Sequence, residues 1–253
     1  MDRPRFVAVG DVLVDVSVHG GPGHGARVAL HAGGSAANTA VWAAAAGADA
    51  SVIGRVGDDL GGRAIRDALT ARHVEPVFAV DNEAATGTFV QVGGRRYVDR
   101  GASAALTPEH LPDRLDADIV AVSAYAPAAA AEAALTRSAA SWTAALGRPL
   151  PRANAVILNE TEADEGVHEL AARFRLACVT LGELGAIAVL DGEERSASAP
   201  RVDAPDPTGA GDAFAAVLLV SLARGLPLRD ALEDACRAGA RAAAISGGWP
   251  VVE

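Results

Sequence analysis

Cysteine is nearly missing from this chain: Cys178 and Cys236 are the only two, in unrelated contexts. No disulfide framework and no zinc-ligand spacing can be built from them, so two buried, inert thiols and a reducing compartment are expected. Aromatic residues are scarce at 4%, while hydrophobic residues reach 50%, so the core must be packed from alanine, valine and leucine. Basic charge is short: the formal net charge of −10 argues against a non-specific nucleic-acid binder. No apolar run is long enough to span a bilayer, and Met1 to Arg5 is short and polar before a strand begins. The expectation is a cytoplasmic protein with no leader, no membrane segment and no nucleic-acid partner. The six histidines are scattered without metal-ligand spacing, which leaves them loop or surface positions.

What is present is an alternation of short apolar runs and Ala-rich helical patterns. Phe6 to Val9 reads as a buried strand ending at Gly10-Asp11, and Val12 to Val18 alternates with a period of two, as a half-exposed strand does. Helices at Ser35 to Ala46 and Leu60 to Ala71 flank a strand at Ser51 to Arg55. From Val77 to Arg100 the texture changes. Val77 to Val80, Gly87 to Val92 and Arg95 to Asp99 are strands with no helix between them, and Gly93-Gly94 is a hairpin turn. Together with Val12 to Val18 they are expected to form a small separate antiparallel sheet. The rhythm then resumes with strands at Ile119 to Val122, Ala155 to Leu158, Leu176 to Thr180 and Ala186 to Leu190, and an edge strand at Arg195 to Ala199. Helices are expected at Ala128 to Trp142, Gly209 to Arg224 and Leu228 to Ser246. Residues 1–253 thus read as a single α/β domain. It has a mostly parallel sheet with helices on both faces and inserted small-sheet strands at about 12–30 and 77–100.

The stretch Pro205-Asp206-Pro207-Thr208-Gly209-Ala210-Gly211-Asp212 opens directly into the apolar helical pattern Ala213 to Ala223. Pro207 stops any preceding element, and Gly209 and Gly211 permit a tight backbone. The amides of Gly209, Ala210, Gly211 and Asp212 then form an anion site at a helix start. A carboxylate beside a bound polyphosphate needs a reason. Asp212 is either a base that takes a proton from an attacking hydroxyl or a cap for the helix amides. Asp11 ends the first strand, where open α/β sheets bind ligands; it either accepts hydrogen bonds from hydroxyls or caps a turn, and Asp15 lies just beyond. Gly33, Gly34 and Asn38 form a glycine turn entering a helix. That turn either admits a polyol to bare backbone or is an ordinary helix start with Ser35 as cap. Asp58 and Asp59 read as caps. Arg100 either contacts substrate or, the plainer reading, is a solvated charge. His24 and His31 flank the first turn, where they either touch substrate or are loop positions.

Asp206-Pro207-Thr208-Gly209-Ala210-Gly211-Asp212-Ala213-Phe214 resembles the second signature of the ribokinase-like (PfkB) family of carbohydrate and nucleoside kinases. Gly33-Gly34-Ser35-Ala36-Ala37-Asn38-Thr39-Ala40, followed by Gly54-Arg55-Val56-Gly57-Asp58-Asp59-Leu60-Gly61-Gly62, is similar to the first signature. The two matches come in the right order and the resemblance covers nearly the whole chain. It implies a ribokinase-like, Rossmann-like three-layer fold with a β-sheet lid that also serves as a homodimer surface. It implies ATP-dependent phosphorylation of a hydroxyl on a sugar or sugar acid, with Asp212 as base. Gly209, Ala210 and Gly211 would surround the transferring phosphoryl group, and Asp11, Asp15, Gly33, Gly34 and Asn38 the substrate. Asn159-Glu160-Thr161-Glu162 resembles the family's N-x-x-E motif, which gives Glu162 a Mg²⁺ ion through water and sets Asn159 near the phosphates; a helix-capping pattern is the plain alternative. Thr180-Leu181-Gly182-Glu183-Leu184-Gly185 matches a T-x-G-x-x-G nucleotide turn, which assigns Thr180, Gly182 and Gly185 to ATP. Gly239 stands where many members carry a polar residue beside the nucleotide. Asp206 to Thr208, with the segment near Ser246, matches a loop that holds K⁺.

The chain departs from the family between Val122 and Ala155. Members fit a helix, a strand with a D-x-N-x-R-like run near the phosphates, and more helix there. Here one helix and the loop Gly147 to Arg152 fill the interval, so one strand is expected to be missing and ATP binding to be weakened. Neighbouring strands are then expected to close ranks, leaving the Gly-Ala-Gly-Asp helix facing an open cleft. Ser246-Gly247-Gly248-Trp249-Pro250 replaces a longer tail beside the adenine. Two alternatives stand beside a sugar kinase. One is a nucleoside kinase, which the few aromatics near the lid (Phe78, Phe89 and Tyr97) mildly oppose. The other is a catalytically weak family member that binds a ligand. A Rossmann dehydrogenase is excluded, because no G-x-G-x-x-G follows the first strand.

Overall fold

The computed structural model describes residues 3–20, 24–203, 207–245 and 247–250. In chain order, β1 (Arg5–Val9), β2 (Leu13–His19) and β3 (Arg27–Gly33) precede α1 (Ser35–Ala45). Next come β4 (Asp49–Gly57), α2 (Leu60–Thr70), β5 (Val74–Asp81), β6 (Thr86–Val92) and β7 (Arg95–Gly101). The second half holds β8 (Ile119–Ser123), α3 (Ala128–Thr136), β9 (Trp142–Leu146), β10 (Ala155–Asn159) and α4 (Val167–Ala171). It closes with β11 (Leu176–Thr180), β12 (Ala186–Leu190), β13 (Glu193–Ala197), α5 (Ala210–Ala223) and α6 (Leu228–Ala243). Among the described residues nine strands make one sheet, in the order β13-β12-β11-β10-β9-β8-β1-β4-β5, and four make a second, in the order β3-β2-β6-β7. Strands β5 to β11 of the large sheet pair in parallel, while β12 and β13 run antiparallel at one edge.

Strand alternation divides the core in two. Phe6 and Ala8 of β1 point into one apolar layer with Ile65 and Leu69 of α2, Trp42 of α1, and the buried faces of α5 and α6. Val7 and Val9 point the other way, into a layer closed by α3, α4 and the segment around Leu106 and Leu111. Central strands buried on both sides read as continuous apolar runs, as β8 does with Ile119, Val120, Ala121 and Val122. Alanine supplies much of both layers, which fits the scarcity of aromatics. Cys178 and Cys236 are both buried, and burial pushes both thiols up, away from the reactive thiolate form. Among the described residues no helix is long and apolar enough to cross a membrane.

Three expectations are overturned. Val77 to Val80 does not join the small sheet: it lies in β5, paired in parallel with β4 through Val77↔Ile53, at the edge of the large sheet. Pro76 fits there because an edge strand needs ladder donors on one side only. The small sheet is not wholly antiparallel either, since β2 and β6 pair in parallel. Third, the strand expected to be missing between Ser123 and Asn154 is present. The helix ends at Thr136, and Trp142–Leu146 forms β9, wholly buried between β8 and β10. No helix follows that strand before β10 begins at Ala155.

The return from β9 to β10 is made by residues 147–154 alone, shorter than the dozen or so residues a parallel crossover usually takes. Two features hold it. Leu150 and Ala153 pack on the apolar layer that a helix would otherwise cover. Asn154 closes the return: its Oδ1 accepts from Thr143 N at 2.9 Å, its N donates to Thr143 Oγ1 at 3.0 Å, and its Nδ2 donates to Ser141 O at 2.9 Å. The strands close ranks around an absent helix, not an absent strand.

Candidate active site

A cleft of about 600 Å³ opens at the carboxyl ends of β1, β8, β9, β10 and β11, where open α/β sheets place ligands. The start of α1 and the start of α5 form one wall, through Ser35, Asn38, Gly209, Gly211 and Asp212. The small sheet roofs it. Residues of alternating strand positions share one face of that sheet, and Leu13, Asp15, Phe89, Arg96, Val98 and Arg100 line the cleft from it.

Asp212 stands in the first turn of α5, behind the left-handed Gly209 at φ 79°. A side chain at Gly211 would project into open space, so the backbone there is approachable from the cleft. Asp212 is not a cap for its own helix. Its Oδ1 accepts from Ser35 Oγ at 2.7 Å and its Oδ2 from Asn38 Nδ2 at 2.9 Å, both donors coming from α1. Ser35 therefore does not cap α1, whose N-cap is Gly34 without a side-chain bond. Burial raises the Asp212 carboxyl to about 6. The hydrogen bonds from Ser35 and Asn38 pull the other way, and the charge of Glu162 adds to the rise.

Asp11 lines the cleft but is buried at 3% exposure and already engaged. Arg100 of β7 grips it with two bonds, Nε to Oδ2 at 2.9 Å and Nη2 to Oδ1 at 2.6 Å, and Nη2 also donates to the Tyr125 carbonyl. The bond to Asp11 pushes the Arg100 guanidinium further up from its ordinary value. Arg100 is thus not a solvated charge. It ties the roof to the end of β1, and the alternation of Arg96, Val98 and Arg100 in β7 is the signal that could have revealed it. Asp15 faces the cleft from β2, and the space a side chain would need at Gly33 is taken by its carboxylate. Gly34, at φ 93°, lets the Asp11 carbonyl approach closely. The bare backbone at these two glycines therefore makes room first for the protein's own groups, the Asp15 carboxylate and the Asp11 main chain, although Gly34 also lines the cleft.

At the far end, Asn159, Glu162 and Thr180 line the cleft. Asn159 and Glu162 cap one another: Asn159 Oδ1 accepts from Glu162 N at 3.0 Å, and Glu162 Oε2 accepts from Asn159 N at 2.9 Å. Gly147, leaving β9 at φ 79°, gives the Glu162 carboxylate room; a Cβ there would lie 3.3 Å from Oε1. Leu146 and Gly147 line the cleft at the end of β9 and offer no polar side chain there. Gly182 lies outside the cleft lining, with open space where its side chain would be. Gly185 and Gly239 are not brought to the cleft: a Cβ on Gly185 would collide with the Ala197 carbonyl, and one on Gly239 would lie 3.2 Å from the Ala210 carbonyl, where α6 meets α5. Asp59 caps α2 through Gly62 N at 2.8 Å, as expected, whereas Asp58 is not a cap and pairs with Arg63 at 3.1 Å on the surface. Asp206 and Ser246 lie outside the described residues.

The Asp11–Arg100 pair generates a prediction. Arg100→Met strands a buried carboxylate, and should cost about 1–3 kcal/mol in chemical denaturation, discounted for the partial exposure of the arginine. Asp11→Asn in the same chain should recover part of that loss. An Arg100→Met protein as stable as the parent would show that the pair does not hold the roof.

The sequence matches the pfkB family carbohydrate kinase description over residues 4–145 and 139–248, and the two matched segments overlap at 139–145, the approach to β9 and most of that strand. The chain is 33% identical to the fructokinase of Klebsiella pneumoniae over 268 residues, covering 88% of this chain and 86% of the relative. The adenosine kinase of Sinorhizobium meliloti superposes with a TM-score of 0.84 at 21% identity, covering 99% of this chain and 97% of that one. Aminoimidazole riboside kinase from Salmonella enterica, complexed with aminoimidazole riboside and an ATP analogue, gives a TM-score of 0.80 at 21% identity over 96% and 95%. At such identities the structural likeness speaks to the fold, and the sequence matches speak to the family. This chain belongs to the pfkB family of carbohydrate kinases.

Proposed function

We propose that the chain transfers a phosphoryl group from ATP to a hydroxyl of a sugar or sugar acid. The observation that carries the proposal is Asp212: an acid raised to about 6, facing an open cleft at the start of a glycine-preceded helix. Bound ATP with Mg²⁺ supplies the phosphoryl group and the cation that offsets part of its charge. The donor set fits such a group. The α5 amides give hydrogen-bond donors and a positive helix end, and Glu162 with Asn159 offers oxygen ligands suited to a hydrated Mg²⁺. Asp212 takes the proton of the acceptor hydroxyl as its oxygen bonds to phosphorus and ADP departs. Asp15, Asn38 and the Asp11–Arg100 pair hold the acceptor beneath the roof, and Thr180 stands at the nucleotide end. Gly182 lies open for the nucleotide beyond it, whereas Gly185 and Gly239 act by packing.

A nucleoside acceptor is the second reading, favoured by Phe89 and Tyr125 in the cleft lining. An ADP-release assay over sugars, sugar acids and nucleosides decides between them. The ligand-binder alternative is disfavoured, because neither the cleft nor Asp212 is obstructed. Asp212→Asn should lower kcat by about two to four powers of ten with the fold intact. In the parent, kcat should fall as pH drops through about 6, because protonated Asp212 cannot accept. Near-normal turnover of Asp212→Asn would remove it from the mechanism.

The proposal includes K⁺ on the loop that contains Asp206. The neighbouring Thr208 carbonyl packs against Gly248, which brings the two segments of such a cradle together. Replacing K⁺ by a large organic cation should depress turnover; unchanged turnover would count against the ion.

It also includes a homodimer through the outer face of the small sheet. Val28, Leu30, Val92 and Tyr97 are exposed there at 61%, 68%, 38% and 52%, an apolar face that a second copy would cover. Sedimentation should show a dimer that Leu30→Lys dissociates, and a monomeric parent would sink it.

A further inference from the structure

The segment of residues 247–250 reaches the site from outside. Trp249 is 7% exposed, and its Nε1–H donates to Asn38 Oδ1 at 2.7 Å. An indole N–H can only donate and an ionised carboxylate can only accept. One orientation of the Asn38 amide therefore satisfies both neighbours: oxygen toward Trp249, nitrogen toward Asp212 Oδ2 at 2.9 Å. Turning the amide over would set oxygen against carboxylate and N–H₂ against N–H, exchanging two hydrogen bonds for two repulsions in a low-dielectric place. Trp249 is itself anchored. The Arg72 guanidinium lies 4.8 Å from its ring centroid, and Trp42 Nε1 donates to the Gly248 carbonyl at 2.8 Å.

We propose that Trp249 is a positioning residue for phosphoryl transfer: its N–H fixes the Asn38 amide, and the amide fixes the Asp212 carboxylate toward the acceptor. The inference rests on Asp212 being the base of the proposed reaction. Asp212 accepts from Ser35 and Asn38, with the Thr39 hydroxyl beside them, and without the Asn38 amide the carboxylate turns more freely about its Cβ–Cγ bond. The charged groups that share the cleft with Asp212 are Glu162, Asp11, Asp15, Arg96 and Arg100, while Arg72 faces the indole. All of them remain when only the indole N–H is removed.

The test is Trp249→Phe, which keeps a ring under Arg72 and deletes the donor. In the kinase assay kcat should fall about ten-fold, the order expected for one lost hydrogen bond, while KM for acceptor and ATP changes less than about three-fold. In an Asn38→Ala background the same change should cost nothing more, because the route through the amide is already gone. A readout without turnover is the ¹³C carboxyl titration of Asp212, whose midpoint should lie higher in Trp249→Phe than in the parent. Should the phenylalanine variant lose its fold, a benzothiophene isostere of the Trp249 indole repeats the comparison at unchanged shape. Parental kcat in the variant, an equal loss in the Asn38→Ala background, or an unmoved Asp212 midpoint would each overturn the proposal. If no acceptor turns over at all, the kinase reading fails, and the carboxyl titration still decides whether Trp249 sets the state of Asp212.

Discussion

The Asp212 carboxylate, held by Ser35 and Asn38, is the interaction on which the site depends. It joins the starts of two helices that are 175 or so residues apart in sequence, as the separations of 177 and 174 show. Both helices pack in the same apolar layer, so their starts are set by core burial before any polar contact forms. The hydrogen bonds then select one rotamer for an acid that burial would otherwise neutralise. Structure and chemistry meet in this balance: enough desolvation for the base proposed for Asp212, enough donors to keep its position.

The roof is attached by a different device. Asp11 lies two residues beyond β1 and Arg100 near the end of β7, so their bidentate pair ties the large sheet to the small one beside the cleft. Ser103, fully enclosed, adds a second tie, accepting from Val12 N at 3.2 Å and donating to the Val12 carbonyl at 3.0 Å. At the Asn159–Glu162 end of the cleft, the absence of a helix between β9 and β10 matters less than the absence of the strand would. Because β9 stays in the sheet, β10 keeps its place and carries Asn159 and Glu162 to the cleft. The cost is local: Leu146 and Gly147 bring no side-chain donor to that end.

The fold class and the Gly209–Asp212 helix start were legible because both are local signals, an alternating pattern and a turn opening into an apolar helix. The small sheet was legible in part. The texture of Val77 to Val80 matched the strands after it, and pairing with β4 rather than β6 is a long-range choice that no local pattern encodes. Strand β9 was hidden because Trp142-Thr143-Ala144-Ala145-Leu146 follows an alanine-rich helix, and alanine favours helix until burial on both faces overrides it. Arg100 was misjudged because a charge beside exposed strands usually faces water; its partner lies 89 residues away. The same distance problem hid Trp249, which meets Asn38 across 211 residues. Gly185 carried the right residue type for a nucleotide turn and Gly239 stood where a polar residue is usual, yet the close backbone contacts of both glycines lie within the protein.

The proposed kinase needs a working nucleotide end although no helix separates β9 from β10. Calorimetry with a non-hydrolysable ATP analogue and Mg²⁺ tests that claim most directly. The structure predicts saturable one-to-one binding, weak but measurable below about 1 mM, or roughly −4 kcal/mol and tighter, and lost when Mg²⁺ is withheld. No detectable heat at millimolar analogue would contradict it.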